Sequence, residues 1–193
     1  SLLQLILSLF FFLTFTHCQS NPSALNTNLI TPWDNNPNYW QYKGEPVLLV
    51  GASKDDNLFQ LPDLKTHLDS LADVGGNYIR NTMSSRIDKG WEVYRFKQLD
   101  DGTYDLNQWN EEYWNRLTFF LDETAKRDII VQLTFWDQFD IRSRQWETHP
   151  WNPDNNVNMD PGTWKNRTDF YSTADRGAED ELIFQKGYVD KLL

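Results

Sequence analysis

Residues Asp128–Asp140, DIIVQLTFWDQFD, decide the reading of this chain. Ile129, Ile130, Val131 and Leu133 form a near-continuous apolar run, which predicts a parallel strand covered on both faces. The run ends abruptly in Trp136, Asp137, Gln138 and Asp140. Polar and aromatic groups at the carboxyl end of a parallel strand are how α/β barrels and open α/β sheets build binding sites.

The same arrangement recurs upstream. Pro46–Gly51, PVLLVG, reads as a first strand that runs into the polar loop 52–56. Pro62 opens a helix at a position where its missing N–H costs nothing, Leu64, Leu68 and Leu71 follow at helical spacing, and Gly75-Gly76 ends it. Asn77–Thr82 is a second strand, with Arg80 and Asn81 at its carboxyl end. The long segment 83–106 reads as a functional loop holding Trp91, Tyr94, Phe96 and Tyr104, with Asp100-Asp101-Gly102 as a turn. Asn107 is expected to cap a helix over 108–127, with Trp109, Tyr113, Leu117, Phe120 and Leu121 as its apolar stripe. After the third strand come a second long loop, 141–172, and a helix over 178–193. That helix is expected to turn Leu182, Ile183, Tyr188, Val189 and Leu192 toward a core.

Strands that alternate with helices predict a parallel sheet. Both long loops follow strands and the turns into strands are short, the asymmetry of a (β/α)₈ barrel. No G-x-G-x-x-G follows a strand, which disfavours a dinucleotide fold. A barrel needs about 250 residues. The 193 residues supply three βα units, so the predicted fold is α/β, the N-terminal part of a TIM barrel over 45–193.

Composition narrows the function. The formal net charge is −10 and no basic stripe is present, which argues against a nucleic-acid partner. One cysteine and three histidines argue against a zinc site, and no cofactor is implied. The nine Trp, eight Tyr and twelve Phe are unusual, and those in polar loops are candidates for stacking on sugar rings. Residues 1–17 carry no charge and read as the apolar part of a signal peptide spanning 1–20, with cleavage near Cys18 to Asn21. The run is short for a membrane span. The protein is therefore expected outside the cytoplasm, secreted, periplasmic or at the cell surface, with no stable span after cleavage. Residues 21–44, rich in Asn, Pro and Trp, read as an irregular lead-in.

PVLLVGASKDD, GGNYIRNTMSS, the loop from Trp91 to Leu117 and DIIVQLTFWDQFD resemble the first third of a cellulase-like (β/α)₈ glycoside hydrolase of the large retaining clan. The resemblance covers roughly residues 31–193. Asn77, Ile79 and Arg80 stand in the clan's N-x-I-R strand, and the resemblance implies that Arg80 contacts the catalytic nucleophile. It also implies a carbohydrate substrate, bound by Arg80, Asn81, Trp91, Trp136 and Asp137. The clan's histidine near the third strand end is replaced here by Trp136-Asp137.

Retaining glycosidases use two carboxyls about 5–5.5 Å apart. In the resembled clan both are glutamates at later strand ends, so no catalytic residue is expected within these 193 residues, which alone should be inactive. Asn110-Glu111 has the right letters but falls in a helical first turn, where acidic groups suit the dipole. Asp154–Asp160 alternates oxygen ligands like a calcium loop, but Met159 stands where glycine is needed and Lys165 where glutamate is needed. Asn166-Arg167-Thr168 is a glycosylation sequon by letters. The alternative function is a non-catalytic carbohydrate-binding protein on the same scaffold. An esterase ranks last, because no G-x-S-x-G occurs.

Overall fold

The computed structural model describes residues 29–164, 166–172 and 179–193. The expected signal peptide lies outside these residues. No described helix is long and apolar enough to cross a membrane. The chain divides into two compact units, 1–48 and 49–193.

In the first unit, β1 (Thr31–Trp33), β2 (Asn36–Tyr42) and β3 (Glu45–Val47) form an antiparallel sheet in the order β1-β2-β3. Part of the expected irregular lead-in is therefore paired structure. Lys43 and Gly44 link β2 to β3 with φ of 53° and 82°. Positive φ at both central residues twists a two-residue hairpin to match its strands. The run Pro46–Gly51 is accordingly not one strand. Its first residues hairpin back onto β2, while Gly51 forms an isolated parallel bridge to Tyr78.

The second unit carries α1 (Leu64–Asp73), β4 (Tyr78–Thr82), β5 (Phe96–Gln98), β6 (Tyr104–Trp109) and α2 (Glu111–Lys126). It continues with β7 (Ile130–Thr134), α3 (Gln138–Arg142) and α4 (Glu179–Leu192). β4 and β7 pair in parallel, with Tyr78 opposite Ile130 and Thr82 opposite Thr134. The bridge at Gly51 lies on the other side of β4. The parallel order is thus sequential, without the reversal of a doubly wound sheet. Among the described residues the strands do not close into a barrel.

α1 and α2 end in the same way. Gly76 N–H bonds to Leu71 carbonyl and Gly75 N–H to Ala72 carbonyl, each at 2.9 Å. Ile129 N–H bonds to Thr124 carbonyl at 3.0 Å and Asp128 N–H to Ala125 carbonyl at 3.1 Å. Both are Schellman motifs, with Gly75 at φ 80° and Asp128 at φ 57° in the left-handed position. Each helix therefore feeds its strand through a tight, fixed turn.

This corrects the reading of 128–134. Ile129 belongs to the helix stop, where it is buried at 5 % exposure. Within β7 the register puts Val131 and Leu133 on the face of buried Ile79 and Asn81. Gln132 and Thr134 share the other face with Tyr78 and Arg80. The first face carries Asn81 among its apolar groups, and the second carries Ile130 beside exposed Arg80 and Gln132, so the strand is not covered on both faces by apolar packing.

Other boundaries shift for local reasons. Residues 96–109 form an antiparallel hairpin, not loop and helix start. Asn110, not Asn107, caps α2, its side chain accepting from Glu112 N–H at 3.1 Å. Trp109 lies in β6 and Leu121 is exposed, while Tyr113, Trp114, Leu117 and Phe120 form the buried side of α2. Among the described side chains of α4, Tyr188 alone is fully buried, and Ile183 is exposed. The segment 141–172 contains three short 3-10 turns, Arg144–Thr148, Pro153–Asn155 and Arg167–Ser172, among its described residues. Asn156 and Asn158 there spend their side chains on backbone groups, including Asn158 Oδ1 accepting from Leu106 N–H at 2.6 Å.

Gly51 is a required glycine. A Cβ there would lie 2.0 Å from the Tyr78 carbonyl oxygen. Backbone cannot yield as a flexible side chain can, so Gly51→Ala is expected to destabilise the chain by about 2 kcal/mol or more. Urea unfolding followed by tryptophan fluorescence measures this, and an unchanged midpoint contradicts it.

Candidate functional site

The carboxyl ends of β4 and β7 and the loop after Gly51 gather charged side chains at two depths. The open layer is a cleft of about 380 Å³ lined by Lys54, Asp55, Asp56, Arg80, Thr82 and Lys89, among others. Most of its charges are paired: Lys54 with Asp63 at 2.6 Å, Lys89 with Asp55, and Asp56 with Arg86. Arg80 makes no ion pair among the described residues. Its Nε donates to Thr134 Oγ1 at 3.3 Å and its Nη2 to Thr82 Oγ1 at 3.4 Å. Two hydroxyls on neighbouring strand ends thus steady an exposed guanidinium.

Beneath lies a buried network. Arg86 faces three carboxylates: Asp56, Asp137 at 3.0 Å and Asp140 at 3.0 Å. Asp140 Oδ2 accepts from Ser85 N–H at 2.5 Å. Its Oδ1 meets Arg86 Nε off the N–H direction, so that contact is an ion pair without a hydrogen bond. Asp137 also caps α3, accepting from Phe139 N–H at 2.9 Å. Arg95 is buried and donates to Met83 carbonyl at 2.5 Å and Ser85 Oγ at 2.9 Å. The Tyr188 ring lies 4.2 Å from its guanidinium carbon and takes up part of its charge.

Arg86 and Arg95 do not offset the cost of burying the Asp140 carboxylate. Burial, aided by the Asp137 charge, pushes the Asp140 carboxyl up to about 7, while Ser85 N–H, Arg86 and Arg95 pull the other way. His149, buried beside this network, is held well below the usual imidazole range by burial and by Arg95. Its Nδ1 accepts from Trp151 N–H at 3.1 Å. The cavity between these groups measures only about 10 Å³, too small for a sugar ring. The buried layer ties the segment at Ser85 and Arg86 to the start of α3, and the open layer has the larger volume of the two.

No family model and no curated protein sequence matches this chain. Two solved structures are similar to it. One is the crystal structure of a glycoside hydrolase family 5 mannosidase from Rhizomucor miehei, at 17% identity and a TM-score of 0.49. The match covers 86% of this chain and 42% of that one. The other is a mutant of that mannosidase in complex with mannosyl-fructose, at 14% identity, a TM-score of 0.48 and the same 86% and 42% coverage. This chain therefore spans less than half the length of either structure.

The five residues singled out in the sequence do not converge on one cleft. Arg80 lies in the open layer. Asn81, its neighbour in the strand, points to the opposite face because side chains alternate. It is fully buried, and its Oδ1 accepts from Phe59 N–H at 3.1 Å. Trp136 packs its ring 5.0 Å from both Phe170 and Tyr188 and 6.0 Å from Trp151, roofing the core. Asp137 is committed to Arg86 and to the start of α3. Trp91 lines a separate cleft beside α1 and α2.

Arg86 and Arg95 were not singled out from the sequence, and Asp140 was named only as part of the polar strand end. A signal for Arg86 was present in Asp137 and Asp140, spaced three apart at a helix start, a pair of carboxylates that favours a nearby cation. Arg95 had none, because its burial comes from Tyr113, Tyr188 and the segment 83–85, which are distant in sequence.

Proposed function

We propose that this chain forms the opening βα units of a (β/α)₈ glycoside hydrolase acting on oligosaccharide or polysaccharide by a retaining two-carboxylate mechanism. One observation carries the reading. Arg80, in the middle parallel strand two residues before its end at Thr82, is held by two hydroxyls in an open cleft, with no carboxylate partner among the described residues. A guanidinium presents a fork that matches a carboxylate. A nucleophilic carboxylate needs such a partner to stay ionised beside a general acid. The sequential parallel order and the long segments at strand carboxyl ends support the same reading.

In this account both catalytic glutamates come from chain outside these 193 residues. Arg80 positions the nucleophile, and Arg86, Asp137 and Asp140 hold the loops that frame it. Trp136 and Asp137 move from ligand contact to bracing. Export outside the cytoplasm belongs to the same proposal and rests on the apolar N-terminal run. Turnover of the Arg80→Ala variant, in a protein that carries the barrel past Leu193, tests the reading.

A further inference from the structure

A second cleft in the second unit shares no lining residue with the cleft around Arg80. It measures about 760 Å³, within the span of about 300–1,000 Å³ typical of ligand sites. One wall runs from Phe59 through the start of α1 to Thr66, and Trp91 contributes from the long segment. The other wall is a single stripe of α2: Glu112, Asn115, Arg116 and Phe119. These positions follow the i, i+3, i+4, i+7 spacing of one helical face. It is not the face of Tyr113, Leu117 and Phe120 that packs into the core.

Phe119 is 49 % exposed on this stripe and stands outside the core cluster of the described residues. Trp91 is half-buried and anchored. Its carbonyl accepts from Arg116 Nη1 at 2.6 Å, and Lys89 Nζ lies 5.4 Å from its ring centroid. The cleft therefore presents two aromatic rings, one on each wall.

Its charges cancel locally. Arg116 pairs with Glu112, Lys65 with Asp69 at 3.3 Å, and Asp63 with Lys54 at 2.6 Å. No lining charge is left to attract an ionic ligand. The Asn115 amide and the Thr66 hydroxyl make no hydrogen bond among the described residues, so both are free to meet hydroxyls. Aromatic rings, neutral hydrogen-bonding groups and compensated charge suit an uncharged, hydroxyl-rich ring with apolar faces.

We infer that this cleft is a second carbohydrate site, which takes a neutral saccharide chain on the outer, helical side of the domain. Trp91 and Phe119 supply the stacking surfaces, and Asn115 reads hydroxyls. The site stands apart from the proposed catalysis and requires none of it. It also gives Trp91 a sugar-binding role, in a place different from the one the sequence suggested.

Native affinity electrophoresis of the 193-residue chain tests this, in gels containing galactomannan, hydroxyethylcellulose or polygalacturonate. Retardation is expected in at least one neutral polysaccharide and not in polygalacturonate. Phe119→Ala, a change on the surface, should weaken it about fivefold or more, the loss of roughly one stacking contact. Trp91→Ala should do the same, and Arg80→Ala should leave it unchanged. Absence of retardation in both neutral gels overturns the inference. Retardation that Arg80→Ala abolishes and Phe119→Ala spares also overturns it, because binding then belongs to the strand-end cleft.

Discussion

Replacing Arg80 with alanine is expected to lower turnover by about 100-fold or more, in a protein that carries the barrel past Leu193, while leaving the melting temperature within a few degrees of wild type. The expected size follows from what is lost. A preorganised charged donor facing a group whose charge changes in the transition state is worth about 10²–10³ in rate. The small stability effect follows from what the side chain touches. It is exposed, and its partners are the hydroxyls of Thr82 and Thr134 at 3.3–3.4 Å, each of which water can replace. Exposed substitutions of this kind usually change stability by about 0.5 kcal/mol or less. Arg80→Lys keeps the charge but loses the fork and should fall between the two. Near-normal turnover in Arg80→Ala removes Arg80 from the site.

The second large effect is a pH dependence of stability traceable to Asp140. Its carboxyl is pushed up to about 7 in the folded chain, against a usual value near 4 when unfolded. Between these values the folded chain holds a proton that the unfolded chain releases. The contribution of Asp140 to stability therefore falls as pH rises through about 4 to 7, by about 4 kcal/mol in all. His149 works against it. Its folded value is depressed, so the unfolded chain takes up a proton below about 6.5 and acid destabilises the fold. The two trends overlap, and a single variant separates them. Asp140→Asn keeps an oxygen for Ser85 N–H and removes the titration. The unfolding free energy of wild type minus that of Asp140→Asn should fall by about 4 kcal/mol between pH 4 and pH 8. A difference independent of pH contradicts the account.

Local physics made part of this fold legible. The leucine spacing of α1 and the Gly75-Gly76 stop depend on neighbours in sequence, and both stand as read. Arg80, expected at the strand's carboxyl end, lies instead at the centre of β4, because pairing with β7 carries the strand on to Thr82. Other elements answer to distant partners. Ile129 looks like strand by its side chain but serves the Schellman motif that ends α2, a choice made by Asp128 adopting a left-handed conformation. The hairpin over 96–109 had its signal in Asp101-Gly102, flanked by Tyr104 and Leu106 in alternation. The strand before the turn, β5, is only three residues long, too short to show an alternation of its own in the sequence.

The site was harder to read for a related reason. Asn81 and Arg80 are adjacent, yet alternation sends them to opposite faces, and only the pairing with β7 decides which face is open. Trp91 sits among charges in the sequence as a ligand-binding aromatic would, but the fold of 83–95 carries it to the side of α2. The Arg86–Asp137–Asp140 network joins segments about fifty residues apart, beyond the reach of any local pattern.

The central claim is that these residues frame a glycosidase site completed by chain outside them. Release of reducing sugar from a panel of neutral polysaccharides tests it most directly, comparing the 193-residue chain with the protein extended through the rest of the barrel. The account predicts release by the extended protein alone, lost when Arg80 is replaced by alanine. Release by the 193-residue chain itself, or none by the extended protein on any substrate of the panel, contradicts it.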